Sequence, residues 1–221
     1  MSINIAIDGP AGSGKSTLAK RLAKEQGYIY VDTGAMYRAM ALYLIRQGID
    51  PKDAAGIEKA CGDVDITIDY VNNEQVVLLN GENVNGLIRT EEVSKMASVS
   101  SANGEVRKKL VALQKELAAR KSVVMDGRDI GTVVLPNAQV KIYMDASPRV
   151  RAKRRYEELS AKGETVDLDS IEKEIIERDH RDMTRENSPL KQAEDAVYLD
   201  TSELTVDEVL SRMKEIIREK L

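Results

Sequence analysis

The 221-residue sequence predicts an α/β domain built on parallel strands, and three features carry that prediction. Five short runs are apolar without alternation, the pattern of strands covered on both faces. The stretches between them are helix-like, and two end in a glycine suited to the left-handed position after a helix. A glycine-rich segment joins the first run directly to the first helical stretch, and strand and helix alternate from there.

In chain order the predicted strands are Ile3–Ile7, Tyr28–Val31, Val123–Met125, Val140–Met144 and Ala196–Leu199. The first helix runs from Lys15 to about Gln26, closed by Gly27, and the second from about Ala35 to Gln47, closed by Gly48. A third spans about Glu105 to Arg120 behind the Asn103-Gly104 breaker. Ser147 caps, and Pro148 opens, a helix reaching about Ala161. Asp169 with Glu172, and Thr205 with Glu208, have capping-box spacing and start two more. Residues 63–89 break the rhythm. There Ile66-Thr67-Ile68, Gln75–Leu79 and Glu82–Val84, separated by Asn72-Asn73 and Asn80-Gly81, read as a small antiparallel meander.

This length suits one domain with insertions: a core of about 1–62, 90–148 and 186–221, the insert at about 63–89, and a region at about 149–185. Apolar residues make up 42% and charged residues 32%, with 33 Lys and Arg against 37 Asp and Glu, a net charge of −4. Such a balance argues against nucleic acid or an anionic membrane as partner, because sequence-independent binding of that kind needs many basic contacts. It leaves small anions open. One cysteine, Cys61, and one histidine, His180, exclude an internal disulfide and a histidine or cysteine metal cluster. Without an 18-residue apolar run or a charged-then-apolar leader, the expectation is a cytoplasmic protein. No apolar exposed helix asks for a partner, so a monomer is expected.

Gly9-Pro10-Ala11-Gly12-Ser13-Gly14-Lys15-Ser16, followed by Thr17, matches G-x-x-x-x-G-K-[ST] and lies between a strand and a helix. Its backbone N–H groups can wrap a phosphate, the helix N-terminus adds partial positive charge, Lys15 reaches the outer oxygens and Ser16 is a Mg2+ ligand. Nucleoside triphosphate binding follows. A GTPase base-reading Asn-Lys-x-Asp is missing, as is the Leu-Ser-Gly-Gly of transport ATPases.

Asp32-Thr33-Gly34-Ala35-Met36-Tyr37-Arg38 and Asp126-Gly127-Arg128-Asp129 follow the second and third strands, at the sheet edge that faces a ligand crevice. Arg38 and Arg128 can therefore meet a second anion. If the acceptor is a phosphate monoester, its oxygen is already anionic and positioning suffices. A hydroxyl acceptor would instead want a base, for which Asp126 is placed, and a sensor that binds ATP without transfer is the third option. Arg178, Asp182 and Arg185 share one helical face, with Arg181 at its edge, and read either as part of the site or as a self-paired solvent face. Arg151, Arg154 and Arg155 crowd the preceding helix. The two helices, joined at Lys162–Leu168, form a mobile lid over the triphosphate. His180 reads as a surface residue, and Cys61 and the eight methionines as filling.

The segments 7–16, 32–38, Ile88-Arg89-Thr90, 126–134 and Glu177-Arg178-Asp179-His180-Arg181-Asp182 together resemble bacterial cytidylate kinases along the whole chain. The resemblance implies an adenylate-kinase-like P-loop fold: a five-stranded parallel sheet flanked by helices, an enlarged antiparallel β insert and a helical lid. It also implies ATP-dependent phosphorylation of CMP and dCMP with Mg2+. Cytosine would be read by Ser98, Arg107, Asp129 and Arg185, since a carboxylate can accept from the N4 amino group while arginine donates to the N3 and O2 edge. Arg38 and Arg128 would hold the monophosphate beside Thr33 and Tyr37, and Arg178 with Asp182 would reach the sugar. Lys15, Arg38, Arg128 and Arg178 would carry the transfer, Arg151 and Arg154 would approach ATP, and Asp126 would join Ser16 at the metal. Family members often have Ser where Thr33 stands.

Overall fold

In the computed structural model, which describes residues 2–72 and 74–221, the chain begins with β1 (Asn4–Asp8), α1 (Lys15–Gln26), β2 (Ile29–Asp32) and α2 (Thr33–Arg46). It continues through α3 (Ala54–Asp63), β3 (Ile66–Val71), β4 (Glu74–Leu79), β5 (Glu82–Asn83), α4 (Glu91–Ser100) and α5 (Gly104–Arg120). Then come β6 (Val123–Gly127), a π-helical turn (Ile130–Val134), β7 (Val140–Asp145), α6 (Pro148–Ala161), α7 (Leu168–Thr184), β8 (Val197–Asp200) and α8 (Val206–Lys220). Asn73, half of one predicted turn, lies outside the described residues.

Five strands form a parallel sheet in the order β2-β6-β1-β7-β8. The three central strands β6, β1 and β7 bury both faces, as their unbroken apolar runs require, whereas the edge strand β8 buries Leu199 and exposes Tyr198. On one face Ile5, Ile7, Val124, Ile142 and Leu199 meet Leu18 and Leu22 of α1 and Val209 and Met213 of α8. On the other, Val31 and Met125 meet Met36 and Met40 of α2 and Val106 and Leu110 of α5. Every fully buried Leu, Ile or Met contributes roughly 1.5–3 kcal/mol. Because the strands are parallel, their carboxyl ends share one edge, and four of the five end in aspartate: Asp8, Asp32, Asp145 and Asp200. The fifth, β6, carries Asp126 one residue before its end.

The meander is present as the antiparallel sheet β3-β4-β5, although its last strand stops at Asn83 instead of Val84. Ile66, Val77 and Leu79 enter the same apolar core as α2. The Gln75 amide completes the join: its Oε1 accepts from Asp32 N at 2.8 Å and its Nε2 donates to Asp32 O at 3.2 Å. Tyr70 donates its hydroxyl to Tyr30 O at 3.1 Å. Side chains thus satisfy part of the β2 edge that a further strand would otherwise pair.

Four expectations need correction. Helix α2 starts at Thr33 and not near Ala35, because the Asp32 carboxylate accepts from Ala35 N at 2.8 Å and caps the helix two residues earlier. Helix α7 is capped by Asp167, which accepts from Ser170 N at 2.8 Å; Asp169 and Glu172 instead accept from Arg149. Helices α3 and α4, capped by Asp53 and Thr90, were not foreseen. The strand predicted at Ala196–Leu199 is shifted to Val197–Asp200. The Thr205 and Glu208 capping box does form. Helices α6 and α7 pack on each other around their own small cluster of Ala152, Ile171 and Ile175.

Because the meander shares the main core, Leu79→Ala should lower the single unfolding transition of the whole chain by about 2–5 kcal/mol. Calorimetry showing an unmoved main transition plus a separate early one would contradict the shared core.

Candidate active site

The phosphate loop leaves β1 through a bend that only glycine can make. Gly9 has φ 145°, and a Cβ there would lie 1.9 Å from the carbonyl oxygen of Met144. The loop ends at Gly14, where α1 begins without a side-chain cap, so its first N–H groups stay available to an anion. Lys15 is buried and curls back, donating to Pro10 O at 2.6 Å and Ser13 Oγ at 3.2 Å. Burial, and then the charge of Arg128, push its ammonium down to about 7. Ser16 donates to Asp126 Oδ2 at 2.8 Å, and the Tyr30 hydroxyl to Asp126 Oδ1 at 2.9 Å. Burial and the nearby Asp32 push Asp126 up to about 6. Ser16 and Asp126 supply hard oxygen donors of the kind Mg2+ takes. Among the described residues no group of three His, Cys, Asp or Glu side chains could hold a metal alone.

Opposite the loop, arginines from four segments of the chain come together. Arg38 of α2 donates to Asp32 Oδ2 at 3.1 Å, and Arg89 donates to the same oxygen at 3.3 Å. Arg128, just past β6, donates through Nε to Asp182 Oδ2 at 3.0 Å. Arg178 of α7 is pushed down to about 10 by burial, by Arg128 and, less, by Arg38. Burial alone would raise Asp182, but Arg128 and Arg178 outweigh it and hold its carboxyl below the usual range. Arg38, Arg128 and Arg178 crowd one another in a partly desolvated space, while Arg89 stays largely exposed, an arrangement that favours a bound polyanion.

Beyond them lies a second group. Asp129 is buried and paired with Arg107, while Arg185 stands 3.7 Å from its other oxygen. The Arg107 guanidinium lies 5.5 Å from the centroid of the Tyr37 ring. A cleft of about 230 Å³ between α4 and α7 is lined by Ser98, Asp182 and Arg185. Ten buried side-chain polar atoms among the described residues lack a partner, and six belong to Tyr37, Arg38, Ser98, Arg107, Arg178 and Arg185. Buried polar groups are ordinarily paired, so this concentration marks a surface shaped for a polar ligand.

The structure brings together most of the residues singled out from the sequence, and treats three differently. The Thr33 hydroxyl donates to Asp126 O at 2.7 Å, which places it on the backbone of β6. Arg151 braces the phosphate loop, donating to Ala11 O at 3.0 Å while paired with Asp179 at 2.6 Å. Arg154 points to the β8–α8 connection, donating to Thr201 O at 2.6 Å and Thr201 Oγ1 at 3.2 Å. His180 and Arg181 are exposed. Asp32, Arg89 and Asp8 were missed as site residues, although all three stand inside quoted motifs. The signal for Asp32 was its place at the head of the 32–38 motif, at the end of a strand and three residues before a helical N–H.

A phosphate loop on the central strand, facing a second anion site with its own arginines, defines a P-loop kinase. Solved structures agree on the fold: shikimate kinase from Bacteroides thetaiotaomicron matches with a TM-score of 0.51 at 13% identity over 98% of both chains. An uncharacterized protein from Eubacterium ventriosum matches with a TM-score of 0.53 at 13% identity over 99% of both. The cytidylate kinase family model matches residues 5–219. Cytidylate kinase from Caldicellulosiruptor bescii is 51% identical over 97% of this chain and 95% of its own. That from Geobacillus kaustophilus is 47% identical over 99% and 98%. The chain belongs to the cytidylate kinase family, and is a nucleoside monophosphate kinase.

Since Arg178 is held charged against burial and neighbouring cations, Arg178→Gln should raise the melting temperature of the free protein and shrink the stabilisation conferred by nucleotide. A drop in the free protein's melting temperature, with ligand stabilisation unchanged, would show that Arg178 serves only the fold.

Proposed function

We propose that the protein transfers the γ-phosphoryl group of ATP to CMP and dCMP, forming CDP and dCDP. The observation that carries the acceptor is the buried Asp129 set between Arg107 and Arg185, beside unpartnered atoms of Ser98, Tyr37, Arg107 and Arg185. Asp129 accepts from the cytosine N4 amino group, and the arginines and Ser98 serve the N3 and O2 edge. Uracil presents a carbonyl where the amino group stands, opposing a carboxylate and leaving a buried site mispaired. Asp182, freed by rearrangement of Arg128, reaches the sugar with Arg178.

The acceptor phosphate replaces the carboxylates that hold Arg38 and Arg128. Its oxygen needs no base, so the chain's own residues bring acceptor and γ-phosphate into line and neutralise charge as it shifts. Gly9 through Thr17 cradle the donor phosphates, Lys15 meets their outer oxygens, and Arg128 and Arg178 lie between the two substrates. Mg2+ would be held by Ser16, with Asp126 behind it, and would supply charge neutralisation on the triphosphate oxygens. Residues 149–185 close as a lid, with Arg151 fixing α6 and α7 to the phosphate loop and Arg154, once released from Thr201, approaching ATP. A hydroxyl acceptor is not favoured, because both Asp126 oxygens already accept from Ser16 and Tyr30. Every group invoked comes from one chain, which supports a monomer. No helix among the described residues is long and apolar enough to cross a membrane, and the cytoplasm is the proposed location.

Incubating the protein with Mg·ATP and CMP, dCMP, UMP, AMP or shikimate should give turnover with CMP and dCMP foremost. AMP or shikimate as the best acceptor would overturn the reading, and no turnover at all would favour a sensor. Asp129→Ala should narrow the CMP-over-UMP ratio of kcat/KM by about 1–3 kcal/mol, because it removes the group that discriminates the N4 position. An intact ratio would place base recognition elsewhere.

A further inference from the structure

One buried carboxylate touches neither proposed substrate. Asp8 ends β1 and immediately precedes Gly9, and its side chain is only 4% exposed. Both of its oxygens are engaged across the sheet: Oδ1 accepts from Ile130 N and Oδ2 from Gly131 N, each at 2.7 Å. Those are the first two N–H groups of the π-helical turn that follows Asp129. The residue before that turn, Asp129, makes no side-chain cap to it. A helical turn of this kind leaves its leading N–H groups in need of an acceptor, a task usually met by the residue in front. Here a side chain 122 positions away supplies it. This leaves the Asp129 carboxylate free to face Arg107 and Arg185.

The strand register reinforces the link. Asp8 lies beside Gly127, so Asp126, Arg128 and Asp129 are all carried within a few residues of the point where Asp8 grips the chain. Packing around the grip is tight: a Cβ on Gly131 would come to 3.3 Å from Asp8 Oδ2 and 3.2 Å from Lys141 Cδ. Burial pushes the Asp8 carboxyl up to about 6, against the pull of the two backbone N–H groups. Keeping a carboxylate in such a place is costly unless both its oxygens are used.

We infer that Asp8 is a positioning residue for acceptor recognition: it ties the turn that directly follows Arg128 and Asp129 to the start of the phosphate loop, so that the donor and acceptor halves keep a fixed spacing. It acts through Arg128 and Asp129 and never meets the reacting atoms. The inference rests on the CMP kinase reading above.

Asp8→Asn tests it, since the amide keeps the shape but sets an NH2 donor against one of the two N–H groups. A displaced turn should lower kcat/KM for CMP by about 100-fold and reduce the CMP-over-UMP ratio, while KM for ATP stays close to that of the parent. A lower melting temperature with an unaltered CMP-over-UMP ratio would show a purely structural role and overturn the inference, as would equal rises in KM for ATP and CMP. If Asp8→Asn does not fold, Gly131→Ala presses on the same carboxylate and should narrow the ratio in the same direction; an unchanged ratio there also overturns it. Failure of the parent protein to phosphorylate CMP would instead sink the reading underneath. Parent turnover with unmoved selectivity in the variants would sink this inference alone.

Discussion

The site is organised by one electrostatic constraint: Lys15, Arg38, Arg107, Arg128, Arg178 and Arg185 must sit together in a partly desolvated cleft, and each needs negative charge nearby. A parallel sheet offers a solution, because all its strands end on the same edge. Asp8, Asp32 and Asp126 stand at those ends, with Asp129 and Asp182 close behind. The net charge of −4 describes the whole surface and hides this local excess of cations.

Much else follows from that balance. Arg38 leans on Asp32 and Arg128 on Asp182, pairings that a phosphate can replace without a new charge being buried unpaired. Asp32 is heavily used: it caps α2, holds Arg38 and Arg89, and has its backbone clasped by Gln75 of the insert. The insert therefore has a positional consequence at the proposed acceptor side, where its last residue, Arg89, also pairs with Asp32. Helix α7 closes the arrangement from above, bringing Arg178 and Asp182 inward while Asp179 ties it to Arg151 and so to the phosphate loop.

The sheet and the phosphate loop were legible in the sequence because each depends on local pattern: unbroken apolar runs for strands covered on both faces, and fixed glycine spacing for the loop. The residues proposed to read the base could be named only through family resemblance. Ser98, Arg107 and Asp129 are scattered through the chain and meet by tertiary packing, which no spacing announces. Helix α3 escaped because Gly56 and Gly62 weaken its helical signal and only Ile57, Ala60 and Cys61 face inward. The start of α7 was misplaced because Asp169 and Glu172 have the right spacing for a cap but turn to Arg149. The π-helical turn was invisible for a different reason, since the group that caps it lies on β1. Motif spacing did not reveal the contacts of Thr33 and Arg154, which donate to the Asp126 carbonyl and to Thr201.

An acceptor phosphate that replaces the carboxylate partners of Arg38 and Arg128 and meets Arg178 would supply a large part of the binding energy at the proposed second site. Calorimetric titration with CMP and with cytidine measures this directly, because the two ligands present the same base and sugar and differ in the charged group. CMP should bind at least about 100-fold tighter than cytidine, equivalent to about 2.7 kcal/mol, with the advantage falling as salt is added. Equal affinity for the two, at low and high salt alike, would contradict it.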